Sequence, residues 1–258
     1  MRNTVIITPV YNDWESFTKL IDEINKTISS FEDISFRLIV INDGSKEKAP
    51  PIKLPTHIQT IEILNMKINQ GHAICLANGI KYALNNYEFD NLILMDADGE
   101  DRPEEISKFV EFFKYDDTKP IVGERIKRSE GLVFKISYTI HKLVTFIFTG
   151  HSIKFGNYTC LPKSTVEKMI NEKATWNSFS GSLSKIEKNF IKVPSIRGTR
   201  YFGPSKMSFF NLIKHSLSII SVFKKTFLIR SAVFIILYIL LIKSNASVIT
   251  SIPLIFLL

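Results

Sequence analysis

Apolar residues in the first half of the chain fall into short runs, separated by stretches where they return every third or fourth position. Residues 4–8 form a β-branched run that reads as a strand ending at Pro9. Trp14, Phe17, Leu20, Ile21, Ile24 and Ile28 then recur at helical spacing. Residues 36–41 read as a second strand, stopped by Asn42-Asp43-Gly44-Ser45, and a loop rich in Lys and Pro covers residues 46–55. Residues 58–64 and 91–95 read as strands three and four, with a helix over 71–87 between them. Asp101-Arg102-Pro103-Glu104 has the form of a helix start, with Asp101 as N-cap, Pro103 in the first turn and Glu104 at N3. Ile121 and Val122 belong to a further short strand.

Near-continuous apolar strands between amphipathic helices imply an α/β fold with a parallel, Rossmann-like sheet covered on both faces. Ligands of such sheets sit beyond the carboxyl ends of the strands. The polar clusters at those ends are residues 9–13, 42–45 and 96–101, so three loops are expected to converge on one cleft.

The pattern changes after residue 125. Arg125, Lys127 and Arg128 form a basic knot, followed by a helical stretch, 132–148, that is apolar nearly all round. Residues 156–161 read as a strand, 162–170 as the start of a helix, and Val193 and Pro194 end a late strand. From residue 205 a wide apolar face (Phe209, Phe210, Leu212, Ile213, Leu217, Ile220, Phe223) is interspersed with Lys206, Lys214, His215, Lys224 and Lys225, the pattern of an interfacial amphipathic helix. Residues 227–242 are apolar except Arg230, slightly short of the roughly 20 residues a span requires unless Arg230 and Lys243 snorkel at its ends. A second apolar run covers 248–258. The expected organisation is a catalytic-type domain over 1–204, an amphipathic juxtamembrane helix over 205–226, and a transmembrane hairpin over 227–258 whose second helix is cut short, the competing reading being one helix packed as a core.

Charge supports a membrane rather than a nucleic acid as the partner of the basic end. The 258 residues carry a net charge of +8. No Asp or Glu follows Glu187 while ten Lys and Arg do, which leaves −2 for the rest of the chain. Cationic residues that punctuate apolar helices suit an anionic bilayer surface, whereas a nucleic-acid groove needs a polar, aromatic-studded face. The first residues run straight into a strand with no long apolar leader, so the body is expected on the cytoplasmic face. Two cysteines, Cys75 and Cys160, exclude a disulfide scaffold and a Cys-x-x-Cys zinc framework, and are expected to be buried thiols.

The sharpest chemical signal is Asp96-Ala97-Asp98 directly after an apolar strand. Two carboxylates at i and i+2 suit an oxygen-loving cation that keeps waters and substrate phosphates as further ligands, namely Mg²⁺ or Mn²⁺. Asp43, beside the turn-permitting Gly44, is a second strand-end carboxylate, able to accept from a base or ribose or simply to serve the turn. Pro9, Tyr11 and Asn12 offer a wall for a flat base. Asn69-Gln70-Gly71-His72 opens a helix, where backbone N–H groups favour anions; His72 itself reads as a surface or capping residue.

Taken in order, residues 8–13, 42–45, 69–73, 95–105 and 122–125 resemble the family 2 glycosyltransferases of the GT-A (nucleotide-diphospho-sugar transferase) fold. The later Arg200-Tyr201-Phe202-Gly203-Pro204-Ser205-Lys206-Met207 resembles the signature of their polyprenyl-phosphate branch, which includes dolichyl-phosphate mannose synthases and undecaprenyl-phosphate glycosyltransferases. The resemblance covers about residues 3–210, and helices after the catalytic domain also occur in that branch. It implies that Pro9, Tyr11, Asp13, Asp43, Gly71 and Asp96 line a nucleotide pocket, with Asp13 where the family usually carries Glu. Asp96 and Asp98 would hold the divalent ion, Asp98 foremost. Arg125, Arg128, Lys135 and Ser205 would meet the acceptor phosphate, with Arg200 and Lys206 closing over the phosphates. The implied partners are a UDP- or GDP-hexose, a polyprenyl phosphate and the membrane, compatible with a homo-oligomer. Such a product feeds cell-envelope or protein glycosylation pathways.

Two departures from the family pattern carry information. Asn157 stands where relatives typically have Asp. Residues 176–183, where many family 2 enzymes place an acidic general base, read Trp-Asn-Ser-Phe-Ser-Gly-Ser-Leu. A sugar hydroxyl needs a positioned base to attack. A phosphate monoester, with a second pKa of about 6, is already a nucleophilic anion at neutral pH. The missing acid therefore favours a lipid phosphate over a glycan hydroxyl as acceptor. A glycan-hydroxyl transferase, a degenerate enzyme, and a non-catalytic nucleotide-sugar binder or membrane scaffold are the competing readings.

Overall fold

The structure, a computed structural model, describes residues 1–127, 132–203 and 209–242. They form two compact units. The first combines the chain up to residue 129 with residues 154–208, and the second combines residues 130–153 with the C-terminal part from Phe209. The expected boundary at residue 204 put 130–153 with the sheet; the contacts group that stretch with the C-terminal helices instead.

The first unit is built on seven strands: β1 (Arg2–Val10), β2 (Ile34–Asn42), β3 (Ile58–Asn65), β4 (Asn91–Leu94), β5 (Ile121–Lys127), β6 (Phe155–Pro162) and β7 (Ile191–Ile196). Their order in the sheet is β3-β2-β1-β4-β6-β5-β7. The helices are α1 (Trp14–Ile28), α2 (His72–Asn86), α3 (Ile106–Tyr115), α5 (Lys163–Asn171) and α6 (Phe179–Ile186). In the second unit lie α4 (Leu132–Thr149), α7 (Phe209–Val222) and α8 (Lys224–Ile242).

Successive strand residues point to opposite faces of the sheet, and both faces are packed. Ile6 on β1 joins Phe17, Leu20 and Ile24 of α1 and Phe109 and Phe113 of α3 in one core. Its neighbours Val5 and Ile7 join Leu76 and Ile80 of α2 and Leu183 of α6 in the other. Gly79 lets α2 lie close to the sheet, since a Cβ there would stand 2.7 Å from Ile7 Cγ2. Cys75 and Cys160 are buried free thiols, as expected.

The α/β architecture agrees with the sequence pattern, with two corrections. The sheet is mixed: β6 runs antiparallel to both β4 and β5, while the remaining pairs are parallel. β1 also continues through Pro9 to Val10. Ile7 uses its carbonyl to accept the Met95 N–H on the β4 side. Two residues on, Pro9 faces the same side, beyond the last β1–β4 pair at Ile7 and Leu94, so its missing N–H forfeits no ladder bond.

In the second unit, Phe148 of α4 packs against Phe227 and Phe234 of α8 at ring-centroid separations of 5.1 and 5.9 Å. His151 stacks on Phe223 at 4.1 Å. Arg230 of α8 donates through Nη1 to the carbonyls of Phe146 (3.2 Å) and Ile147 (2.8 Å), the last turn of α4, where unpaired carbonyls and the helix dipole favour a cation. Outward apolar residues remain on all three helices, among them Phe146, Leu217, Leu228, Ile229 and Leu240. Helix α8 has 19 residues, a mean hydropathy of 2.1, and only 6% of that stretch buried. The second apolar run, 248–258, lies outside the described residues.

Candidate active site

The loops leaving β1 and β2 are stitched together by polar contacts. The Asp43 N–H donates to the Val10 carbonyl (2.8 Å), the Asn12 N–H to Ser45 Oγ (2.9 Å), and the Lys46 N–H to Asn12 Oδ1 (2.8 Å). Asn12 has φ 48°, a left-handed conformation that Asn tolerates. The Asp43 carboxylate is nearly fully buried and accepts the N–H groups of Gln70 (2.8 Å) and Gly71 (3.0 Å), anchoring the start of α2. Gly71 has φ 91°, and a Cβ there would meet nothing within 4 Å, so its backbone conformation is what calls for glycine.

The third loop, 96–101, is strongly acidic. Asp101 does not cap the following helix. Its buried carboxylate accepts the Asp96 N–H at 2.9 Å, folding the loop back on itself, and a 3-10 turn (Pro103–Glu105) opens without a side-chain cap. Asp98 accepts the Glu100 N–H at 3.0 Å. Burial, and then the nearby Asp96 charge, push the Asp98 carboxyl up to about 6 and the Asp101 carboxyl up to about 8.

Residues 197–203, after β7, lie across this loop. The Gly198 N–H donates to the Glu100 carbonyl and the Tyr201 N–H to the Asp98 carbonyl, both at 2.8 Å. Gly198 packs directly on the Gly99 carbonyl, and the Tyr201 ring lies over Gly99, which has φ 88°. Lys19 of α1 sits 4.7 Å from the centroid of that ring. Arg197 is paired with Glu100. Arg200 forks between Asp98, through Nη1, and Asp13, through Nη2, while its buried Nε has no partner among the described residues. Sequence reasoning gave Arg200 to phosphates and Asp13 to a nucleoside; here they neutralise each other.

His72, which reads in the sequence as a surface or capping residue, is partly exposed and lines the cleft. Its Nε2 lies 3.3 Å from Asp96 Oδ1 and 2.6 Å from Asn157 Nδ2. Arg125 runs along Gly156, where a Cβ would come within 2.8 Å of its Nη2; its backbone N–H donates to the Lys154 carbonyl, while its guanidinium makes no hydrogen bond or ion pair with any described residue.

A cavity of about 300 Å³ opens between the three loops. Pro9, Tyr11, Asp13, Asp43 and Gly71 line one part of it, and Asp96, Asp98 and Arg200 another; His72 and Asn69 complete the wall. Arg125 is not among the lining residues. Arg128, Ser205 and Lys206 lie outside the described residues. Lys135 is on α4, in the second unit, and its side chain, like that of Lys127, also lies outside the described part.

This donor set fits a divalent cation held through oxygen. Asp96 and Asp98 both line the cavity, and Asp96, Asp98, Glu100 and Asp101 crowd one loop with two arginines to balance them. Among the described residues no three His, Cys, Asp or Glu side chains group closely enough to enclose a metal by themselves. Two carboxylates with the remaining positions left to water or phosphate match what Mg²⁺ and Mn²⁺ prefer.

Residues 5–179 match the model of the family described as "Glycosyl transferase family 2". The undecaprenyl-phosphate 4-deoxy-4-formamido-L-arabinose transferase of Salmonella choleraesuis is 27% identical over 226 residues, covering 83% of this chain and 65% of the relative. The protein of the same name from Photorhabdus laumondii is 28% identical over 235 residues, with the same coverage. The chain thus spans just under two thirds of the length of these curated relatives. Among solved structures, glucosyl-3-phosphoglycerate synthase from Mycobacterium tuberculosis, in complex with Mn²⁺, UDP-glucose and phosphoglyceric acid, matches with a TM-score of 0.61 at 11% identity, over 87% of this chain and 79% of that one. The mannosyltransferase PcManGT from Pyrobaculum calidifontis, with GDP-Man and Mn²⁺, matches with a TM-score of 0.50 at 12% identity, over 98% and 78%. At these identities the likeness is one of fold, and that fold is GT-A.

Proposed function

The chain belongs to glycosyl transferase family 2, and from that premise we propose that it transfers a hexose from a nucleoside diphosphate to a polyprenyl phosphate, with inversion, at the cytoplasmic face of a membrane. The observation that carries this reading is the cavity itself, where the under-neutralised pair Asp96 and Asp98 meets the proposed nucleotide wall of Pro9, Tyr11, Asp13, Asp43 and Gly71. The names of the relatives from Salmonella and Photorhabdus, both undecaprenyl-phosphate transferases, support a lipid phosphate as the acceptor class.

Asp98 and Asp96 would hold Mg²⁺ or Mn²⁺. When bound, the ion supplies Lewis-acid neutralisation of the leaving nucleoside diphosphate. Tyr11, 40% exposed at the cleft, and Pro9 offer flat surface to a base. Asp43, anchored by two backbone N–H groups, keeps the start of α2 aimed at the same cleft. Arg200 gives up its carboxylate partners in favour of phosphate oxygens, and its unpartnered Nε is a donor ready for them. Arg125, uncommitted among the described residues, serves an anionic acceptor, together with Arg128, Lys135, Ser205 and Lys206.

The acceptor class also follows from what the chain leaves out. Residues 176–183 contain no acid, and Ser178, Phe179, Ser180 and Ser182 are packed inside the first unit, with Ser182 Oγ 2.8 Å from Thr175 Oγ1. A lipid phosphate arrives already ionised and needs cations rather than a base. Helix α8 as a membrane span, with α7 at the interface, supplies the surface on which such a lipid is met.

The test is to incubate membranes containing the protein with a panel of labelled UDP- and GDP-hexoses plus Mg²⁺ or Mn²⁺, then extract with organic solvent. Label in the organic phase with wild type but not with Asp98→Ala is the expected result. Label confined to the aqueous phase for every donor rejects the lipid acceptor, and label fixed in glycan assigns a hydroxyl acceptor.

A further inference from the structure

His72 and Asn157 come from distant parts of the chain and meet at the acidic pair. The antiparallel register of β4 and β6 pairs Leu92 with Leu161, Ile93 with Cys160 and Leu94 with Thr159. β4 ends at Leu94, two residues before Asp96, and Asn157 precedes Thr159, the partner of Leu94, by two. Helix α2 begins at His72, and the Asp43 carboxylate fixes that beginning by accepting the two preceding N–H groups. The imidazole is thereby set between the other two side chains, with Nε2 2.6 Å from the Asn157 amide and 3.3 Å from Asp96 Oδ1.

A proton on Nε2 lets the ring serve both of its neighbours. Asp96 Oδ1 is buried, can only accept and makes no hydrogen bond, and His72 Nε2 approaches it to 3.3 Å. An Nε2–H proton meets that need. Asn157 then presents its amide oxygen to the same N–H, since its two amide ends are interchangeable by rotation. Asp96 lines the cavity, and its Oδ2 has no partner among the described residues.

We infer that His72, braced by Asn157, is a positioning residue for Asp96: it holds Oδ1 from behind and leaves Oδ2 for the divalent cation. The inference rests on the transferase reading above and adds two residues to its machinery. Outer partners of metal-binding carboxylates orient the ligand and tune its affinity.

The test measures Mn²⁺ binding directly, by electron paramagnetic resonance of free Mn²⁺, on the full chain in detergent and without nucleotide sugar. His72→Ala is expected to weaken Mn²⁺ about tenfold or more, and Asn157→Leu to act in the same direction. Adding Asn157→Leu to His72→Ala should cost little further, because both act through one contact. His72→Gln, whose amide N–H can still donate to Asp96, should recover most of the affinity. If His72→Ala fails to fold, Asn157→Leu and His72→Gln carry the measurement. Unchanged Mn²⁺ affinity in His72→Ala, with a raised donor KM, overturns the inference and makes the ring a substrate contact. Transfer by wild type without any Mn²⁺ binding overturns it together with the metal part of the transferase reading. Weakened Mn²⁺ binding in a protein that transfers no sugar sustains it while rejecting that reading.

Discussion

Arg200 is ion-paired with Asp98, and the same guanidinium reaches Asp13, so one side chain ties the loop after β4 to the start of α1. A cation already rests where a metal ion and a diphosphate are proposed to bind. Arg200→Ala removes both a counter-charge and a phosphate donor. Mn²⁺ binding without donor should therefore strengthen, while sugar transfer falls about 10²-fold, the usual effect of losing one aimed donor. Arg200→Lys, which keeps the charge but cannot fork, should fall between the two. Mn²⁺ titration and label transfer on the same preparations check both directions.

Metal removal separates the two carboxylates of the pair from the arginines around them. Chelation with EDTA should abolish transfer, and Mn²⁺ or Mg²⁺ should restore it to wild type. Asp98→Asn should stay inactive at any metal concentration, because the amide replaces an anionic ligand with a neutral one. Full activity of Asp98→Asn in EDTA would reject metal assistance.

Gly198 permits a backbone-on-backbone contact that no other residue allows. A Cβ there would collide with the Gly99 carbonyl and stand 3.1 Å from Arg102 Cγ. Backbone cannot step aside as a side-chain tip can, so Gly198→Ala must lift residues 197–203 off the acidic loop. Expected are a stability loss of about 1–3 kcal/mol, typical of overpacking, and a marked drop in transfer. Thermal melting beside an activity assay measures the two effects.

Buried Glu105 secures the strand that leads into that segment. It accepts from Ser195 Oγ at 2.6 Å and from the Ile196 N–H at 3.2 Å. Glu105→Leu leaves both donors unsatisfied and should cost about 1–3 kcal/mol, with a lower melting temperature. Glu105→Gln keeps an acceptor and should cost less.

The sequence was most informative where one face of a local element decides its structure. The spacing from Trp14 to Ile28 marks α1 because the six apolar residues that repeat in sequence are all buried. The three strand-end clusters converge because parallel strands end together. The direction of β6 was not legible, since an apolar run such as 156–161 reads the same either way along a sheet. Between β5 and β6 the chain passes through α4, which belongs to the other unit. Asp101 carried a true helix-start pattern, yet a competing local donor, the Asp96 N–H, took its carboxylate. The place of His72 is hidden in the sequence because its partner Asn157 is 85 positions away, and the one trace of the pairing is the amide at 157. Arg200 was recognised as a cation for the site, but its pairing with Asp13 spans 187 positions and leaves no local signature.

The contact between Arg230 and the last turn of α4 bears on how the protein is made. If α8 spans a membrane, as proposed, Arg230 near its start is a charge to be accommodated during insertion, where an arginine at a span's centre costs up to roughly 2.5–3.5 kcal/mol. The carbonyls of Phe146 and Ile147 that receive it here are synthesised more than eighty residues earlier. By the time Arg230 leaves the ribosome, its acceptors already exist, so the order of translation supplies the charge with a resting place before the helix that carries it has to settle.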